Sequence, residues 1–149
     1  MNTSPELQGN IPAKTTYFTE GFALLTALMF CYSAFVKLYD WRGNRVAMYQ
    51  QILPDWSKDA LVIGLPIIEL IVGVLLLVPS ARKWGFPMAT FLMGIFSFYV
   101  AWVWLGLGGK TPCSCGGIIS SLSWGQHLIF NLIFLGFSLG GWMSNRKKM

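Results

Sequence analysis

ALVIGLPIIELIVGVLLLV, residues 60–78, decides the fold: it is an aliphatic run broken only by Pro66 and by one charged side chain, Glu69. At 1.5 Å per residue the run spans about 28 Å as a helix, close to the hydrocarbon thickness of a bilayer. A carboxylate within such a run is costly unless it is neutralised or paired, so Glu69 needs a partner or a task. Outward in both directions the sequence turns polar. Asp55, Lys58 and Asp59 precede the run, and Pro79, Ser80, Arg82 and Lys83 make a tight basic turn after it.

Three further runs have the same character. Phe18–Tyr39 is uncharged from Gly21 to Val36, with Glu20 and Lys37 near its two ends where long side chains can snorkel. Trp84–Leu107 is uncharged and rich in rings: Phe86, Phe91, Phe96, Phe98, Tyr99, Trp102 and Trp104. Leu122–Met143 carries His127 and Asn131 and leads into Arg146, Lys147 and Lys148. The pattern predicts an all-α fold, an integral membrane four-helix bundle forming a single domain over residues 1–149, with spans at about 18–39, 60–78, 84–107 and 122–143. Between the first two spans, Asp40–Asp59 reads either as a short helix in the membrane interface or as an irregular loop anchored by Trp56. Gly136 and Gly140, four apart, are expected to let helices pack closely.

Composition agrees: 149 residues are 54% hydrophobic, 15% aromatic and only 11% charged, far below the roughly 25% charged residues of a soluble domain. The N-terminal residues are polar rather than basic and apolar, so the first span is expected to stay as an anchor rather than be removed as a signal peptide. The net charge of +5 is scattered over tails and turns, which argues against nucleic acid as a partner. With four spans, Lys14, Arg82, Lys83, Arg146, Lys147 and Lys148 fall on one side. Lys37, Arg42, Arg45, Lys58 and Lys110 fall on the other, and six basic residues against five, or four without the embedded Lys37, favour cytoplasmic termini.

That orientation puts Thr111-Pro112-Cys113-Ser114-Cys115-Gly116-Gly117 on the outer face. Two thiols one residue apart close a small, strained ring, and a strained disulfide is reduced more easily than a structural one. Exchange is therefore expected rather than stapling. Counting along the helices puts Cys31 and Glu69 roughly 12–14 Å below the outer surface, with Lys37 and His127 nearer to it. In the functional reading Cys113 or Cys115 exchanges with a partner disulfide, Lys37 or His127 favours the thiolate, and Glu69 relays or balances charge. The plainer alternatives are an inert Cys31, a structural Lys37–Glu69 ion pair, and a His127 that hydrogen-bonds across helices. Zinc or copper on Cys113, Cys115 and His127 is the weaker competitor, since the cysteine spacing is short and the fourth ligand would have to be Cys31, Glu69 or water. No metal is expected.

Lys37-Leu38-Tyr39-Asp40, Tyr49-Gln50-Gln51-Ile52-Leu53-Pro54 and Leu65-Pro66-Ile67-Ile68-Glu69-Leu70 with Gly73 resemble the first half of the MauE branch of the DoxX-like proteins. Cys113-Ser114-Cys115-Gly116 and Asn131-Leu132 resemble its second half. Members often have Cys-Gly-Cys-Phe-Gly in the loop, and an Arg where this chain offers His127. The resemblance implies a four-helix protein of the bacterial inner membrane, working beside periplasmic thioredoxin-like proteins in disulfide formation or reductant transfer, as in maturation of methylamine dehydrogenase. Four-helix quinone-coupled thiol oxidoreductases of the vitamin K epoxide reductase type are similar in outline, but they use Cys-x-x-Cys, so a quinone is an analogy only. A small non-enzymatic subunit or scaffold of a larger membrane complex, with the cysteine pair as a structural clasp, is the alternative.

Overall fold

The computed structural model describes residues 13–107 and 123–146. The described residues form α1 (Ala13–Tyr39), α2 (Trp41–Tyr49), α3 (Asp55–Leu77), a 3-10 turn (Pro79–Ala81), α4 (Arg82–Trp104) and α5 (Trp124–Arg146). Four of the five α-helices, all but α2, are long and apolar enough to cross a membrane. They pack in the cyclic order α1, α3, α4, α5, with α5 closing back on α1 and α2 lying against α3 and α1.

Local chemistry sets the ends. The second long helix begins at Asp55 rather than at Ala60 because Pro54, extended at φ −59° and ψ 138°, sits at its cap and Asp55 occupies its first turn. The third stops at Trp104, short of the expected Leu107. Gly106 takes a left-handed φ of 70°, and the N–H groups of Gly106 and Leu107 bond back to the carbonyls of Val103 and Trp102 at 3.0 and 3.3 Å. That is the glycine-terminated helix end in which both freed carbonyls are satisfied. The fourth starts at Trp124, where Ser123 and Gln126 cap each other: the Ser123 N–H donates to Gln126 Oε1 at 2.9 Å and the Gln126 N–H to Ser123 Oγ at 3.4 Å.

Of the two readings of residues 40–59, the helical one holds for 41–49. Asp40 caps α2 by accepting from the Gly43 N–H at 3.0 Å. Pro66 explains where α2 docks. Without an N–H, Pro66 leaves the carbonyl of Val62 unpaired inside α3, and Asn44 of α2, itself buried, donates its Nδ2 to that oxygen at 3.3 Å.

The core is Ala23, Ala27, Phe30, Val72, Leu76, Phe86, Ala89 and Met93. These residues crowd toward the end of the bundle that holds the Pro79–Ala81 turn. Small residues permit it: a Cβ on Gly141 would fall on the Phe86 ring, and one on Gly140 would lie 3.2 Å from Phe22, whereas Gly136 faces open space. Close packing at α5 thus belongs to Gly140 and Gly141 rather than to the pair expected from spacing. Arg82, buried, closes this end by donating Nε to the Leu76 carbonyl at 2.8 Å and a guanidinium N–H to Glu20.

Candidate functional site

Next to this core, near mid-height of the bundle, the interior turns polar. Glu69, only 1% exposed, takes the Lys37 ammonium on both oxygens, at 2.6 and 2.8 Å. Ser33, one turn before Lys37 on α1, completes the group: Lys37 Nζ donates to Ser33 Oγ at 2.7 Å, and that hydroxyl donates to Glu69 Oε1 at 3.3 Å. The partner that Glu69 required is therefore Lys37. Ser33 was not singled out from sequence, although its i, i+4 spacing to Lys37 places both on one helix face. Glu69 stands fourteen residues into α3, so Lys37, two residues from the end of α1, points back into the bundle instead of outward.

His127, on the first turns of α5, lies within the electrostatic reach of Lys37. The structure thus brings Lys37 and Glu69 into contact, with His127 on the first turns of α5. Cys31 faces elsewhere: its free thiol packs on Gly73 of α3, whose Cβ position would lie 2.5 Å from Sγ. Cys113 and Cys115 lie outside the described residues. The described residues flanking them meet, since the Trp104 ring packs on Gly125, 3.7 Å from its Cβ position, at the end of the bundle that carries His127. Among the described residues, no three His, Cys, Asp or Glu side chains gather into a group able to hold a metal ion.

Over the same end runs the segment joining α2 to α3. Tyr99 of α4 donates its hydroxyl to Gln51 Oε1 at 2.6 Å and accepts from the Ile52 N–H at 3.4 Å, tying that segment across to α4. Lys58 bonds Asp55 at 2.8 Å and the Tyr49 carbonyl at 3.3 Å, and Tyr49 donates to Asp59 at 2.5 Å. These contacts hold α2 on α3; they involve none of the residues expected to react.

Residues 15–144 match the family described as Methylamine utilisation protein MauE. The chain belongs to the MauE family. Comparison with curated proteins and with solved structures gave no match. The match covers all four long helices except Ala13 and Lys14 at one end and Asn145 and Arg146 at the other, so the polar group at Lys37 and Glu69 and the Cys113–Cys115 segment both fall within the MauE region. Family and helices together make this a multi-pass membrane protein.

Proposed function

We propose that this MauE protein works in the bacterial inner membrane, with cytoplasmic termini, and exchanges thiols and disulfides through Cys113 and Cys115 with a periplasmic thioredoxin-like partner. The observation that carries the reading is the Lys37, Ser33 and Glu69 group buried within the bundle, on the side of the apolar core toward which α4 stops and α5 starts, the helices that the dithiol segment joins. A cation beside a thiol favours the thiolate, which is the attacking species. In one exchange a Cys113–Cys115 disulfide is opened by a partner thiolate, giving a mixed disulfide. The partner's second thiolate then attacks that bond, leaving Cys113 and Cys115 reduced and the partner oxidised. Two electrons and two protons pass from partner to MauE protein, and the reverse direction uses the same steps.

Acid quenching followed by a thiol-alkylating mass tag, with and without reductant, tests this. Redox-dependent tagging of Cys113 and Cys115, and a mixed disulfide trapped when either is replaced by Ser, are expected. A pair that never changes state, with the Cys113→Ser, Cys115→Ser variant functional and assembled, refutes it. Loss of assembly alone favours the scaffold reading, for which α4 offers Phe91 and Phe98, about 70% exposed, as an outward aromatic face.

A further inference from the structure

The short helix between the first two spans has a face that the bundle does not use. Asn44 docks α2 on α3, while Arg42, Arg45, Val46 and Tyr49, at i, i+3, i+4 and i+7, form one exposed stripe on its other side. Because α2 joins the ends of two membrane spans, this stripe lies at the boundary between hydrocarbon and water. Tyr39 and Trp56, each 83% exposed at those span ends, are the rings that such a boundary favours.

The charges along the stripe are unevenly engaged. Arg42 makes no ion pair or hydrogen bond among the described residues. Arg45 reaches Asp59 only at 3.7 Å, too far for a direct hydrogen bond, and both side chains are exposed. The acids are held in place: Asp40 accepts from the Gly43 N–H, Asp55 takes Lys58 at 2.8 Å, and Asp59 accepts the Tyr49 hydroxyl at 2.5 Å. Over residues 40–59 three acidic and three basic side chains cancel. Arg45, Val46, Tyr49 and Gln50 line a surface groove of about 480 Å3, with the Arg45 guanidinium 5.7 Å from the centre of the Tyr49 ring.

We infer that this groove holds the headgroup of a zwitterionic phospholipid carrying a primary amine: Arg42 and Arg45 take its phosphate, and Asp59 takes its ammonium. Guanidinium forks match phosphate oxygens bidentately, and side chains three apart on a helix are close enough to share one phosphate. The headgroup replaces one loose ion pair with two charge-assisted contacts. Since the segment is neutral overall, a purely anionic headgroup gains no general attraction there and leaves Asp59 without an ammonium. Val46, 60% exposed, offers apolar surface to the glycerol and acyl ends, which favours a membrane lipid over a soluble phosphoester. Tyr49 is a positioning residue that fixes Asp59 through its hydroxyl. The site is independent of the proposed thiol exchange.

Native mass spectrometry of the delipidated full-length protein in detergent tests it, with titration by phosphatidylethanolamine, phosphatidylcholine and phosphatidylglycerol of one chain length, and by soluble glycerophosphoethanolamine. Phosphatidylethanolamine should be retained about tenfold more tightly than the other two lipids, since choline has no N–H for Asp59 and glycerol no charge. Arg42→Gln, Arg45→Gln should weaken that retention by about 10–100-fold. Both arginines are exposed, so the fold is spared, and Lys83→Gln, an exposed cation at the opposite end of the bundle, should change nothing. Asp59→Asn should remove the preference for phosphatidylethanolamine over phosphatidylglycerol. Equal retention of the three lipids, preference for phosphatidylglycerol, or retention that survives loss of both arginines overturns the assignment. Displacement of the lipid by an equal concentration of glycerophosphoethanolamine also overturns it, by showing a site for soluble phosphoesters.

Discussion

Replacing Lys37 by Met should cost stability in a pH-dependent way. Lys37 supplies hydrogen bonds of 2.6 and 2.8 Å to a Glu69 that is 1% exposed, and Ser33 alone cannot replace them. Breaking a buried ion pair by removing one partner typically costs about 3–5 kcal/mol. Here there is a ceiling, because Glu69 can escape by protonation. Neutralising an ordinary carboxyl at pH 7 costs about 3.7 kcal/mol, and at pH 5 only about 1 kcal/mol. The variant's folded state then holds a proton that its unfolded state has released, so its stability falls as pH rises from 5 to 7. Glu69→Leu is milder, about 1 kcal/mol, since the freed ammonium swings out to the surface. The double variant, with neither charge, should return to within about 1 kcal/mol of the parent. Reversible unfolding of the protein in mixed micelles, titrated with a denaturing detergent at both pH values, measures all four forms. A Lys37→Met penalty equal at pH 5 and 7, or a double variant as unstable as the two singles added together, would refute the reasoning.

Asn44→Ala leaves the Val62 carbonyl without its donor and should destabilise the fold by about 1–3 kcal/mol; in a Pro66→Ala background, where the substituted residue regains an N–H for that carbonyl, the loss should shrink, which a double-mutant cycle in the same micelles would show. Gly141→Ala drives a methyl into the fully buried Phe86 ring and should cost about 1–3 kcal/mol, while Gly136→Ala, facing open space, should be close to neutral in the same assay.

What the sequence made legible was what depends on one helix at a time. Run length and hydropathy located four long helices, and the isolation of Glu69 in an aliphatic run demanded a partner. Lys37 was available as that partner because it is charged and near a helix end. Ser33 was not, because a serine in an apolar helix says nothing until its face is known. Pro66 was legible only as a break in the run; the fold shows the Val62 carbonyl that it frees and names Asn44, eighteen residues earlier, as its donor. Gly136 and Gly140 share the right spacing, yet the phase of α5 turns Gly136 outward and brings Gly141 to Phe86. Arg82 and Glu20, read as charges at the ends of their spans, are sixty-two residues apart and meet because the bundle closes there. Cys113 and Cys115, the most conspicuous chemistry in the sequence, lie outside the described residues.

The two ends of the bundle carry different physical arrangements, and the difference bears on function. At the turn end, Phe86, Phe30, Leu76 and Met93 are buried among alanines and glycines, and Arg82 is fixed by both a carbonyl and Glu20. Every large side chain there has apolar neighbours, so the helices have little to gain by moving apart. Farther from the turn, the buried polar and charged groups are Glu69, Lys58, Asn44, Gln51, Ser97 and Asn131, while among the described residues unpartnered buried hydroxyls occur in both halves, at Thr26 and Thr90 as well as at Ser97. Such groups hold together through hydrogen bonds and ion pairs that can be exchanged for others.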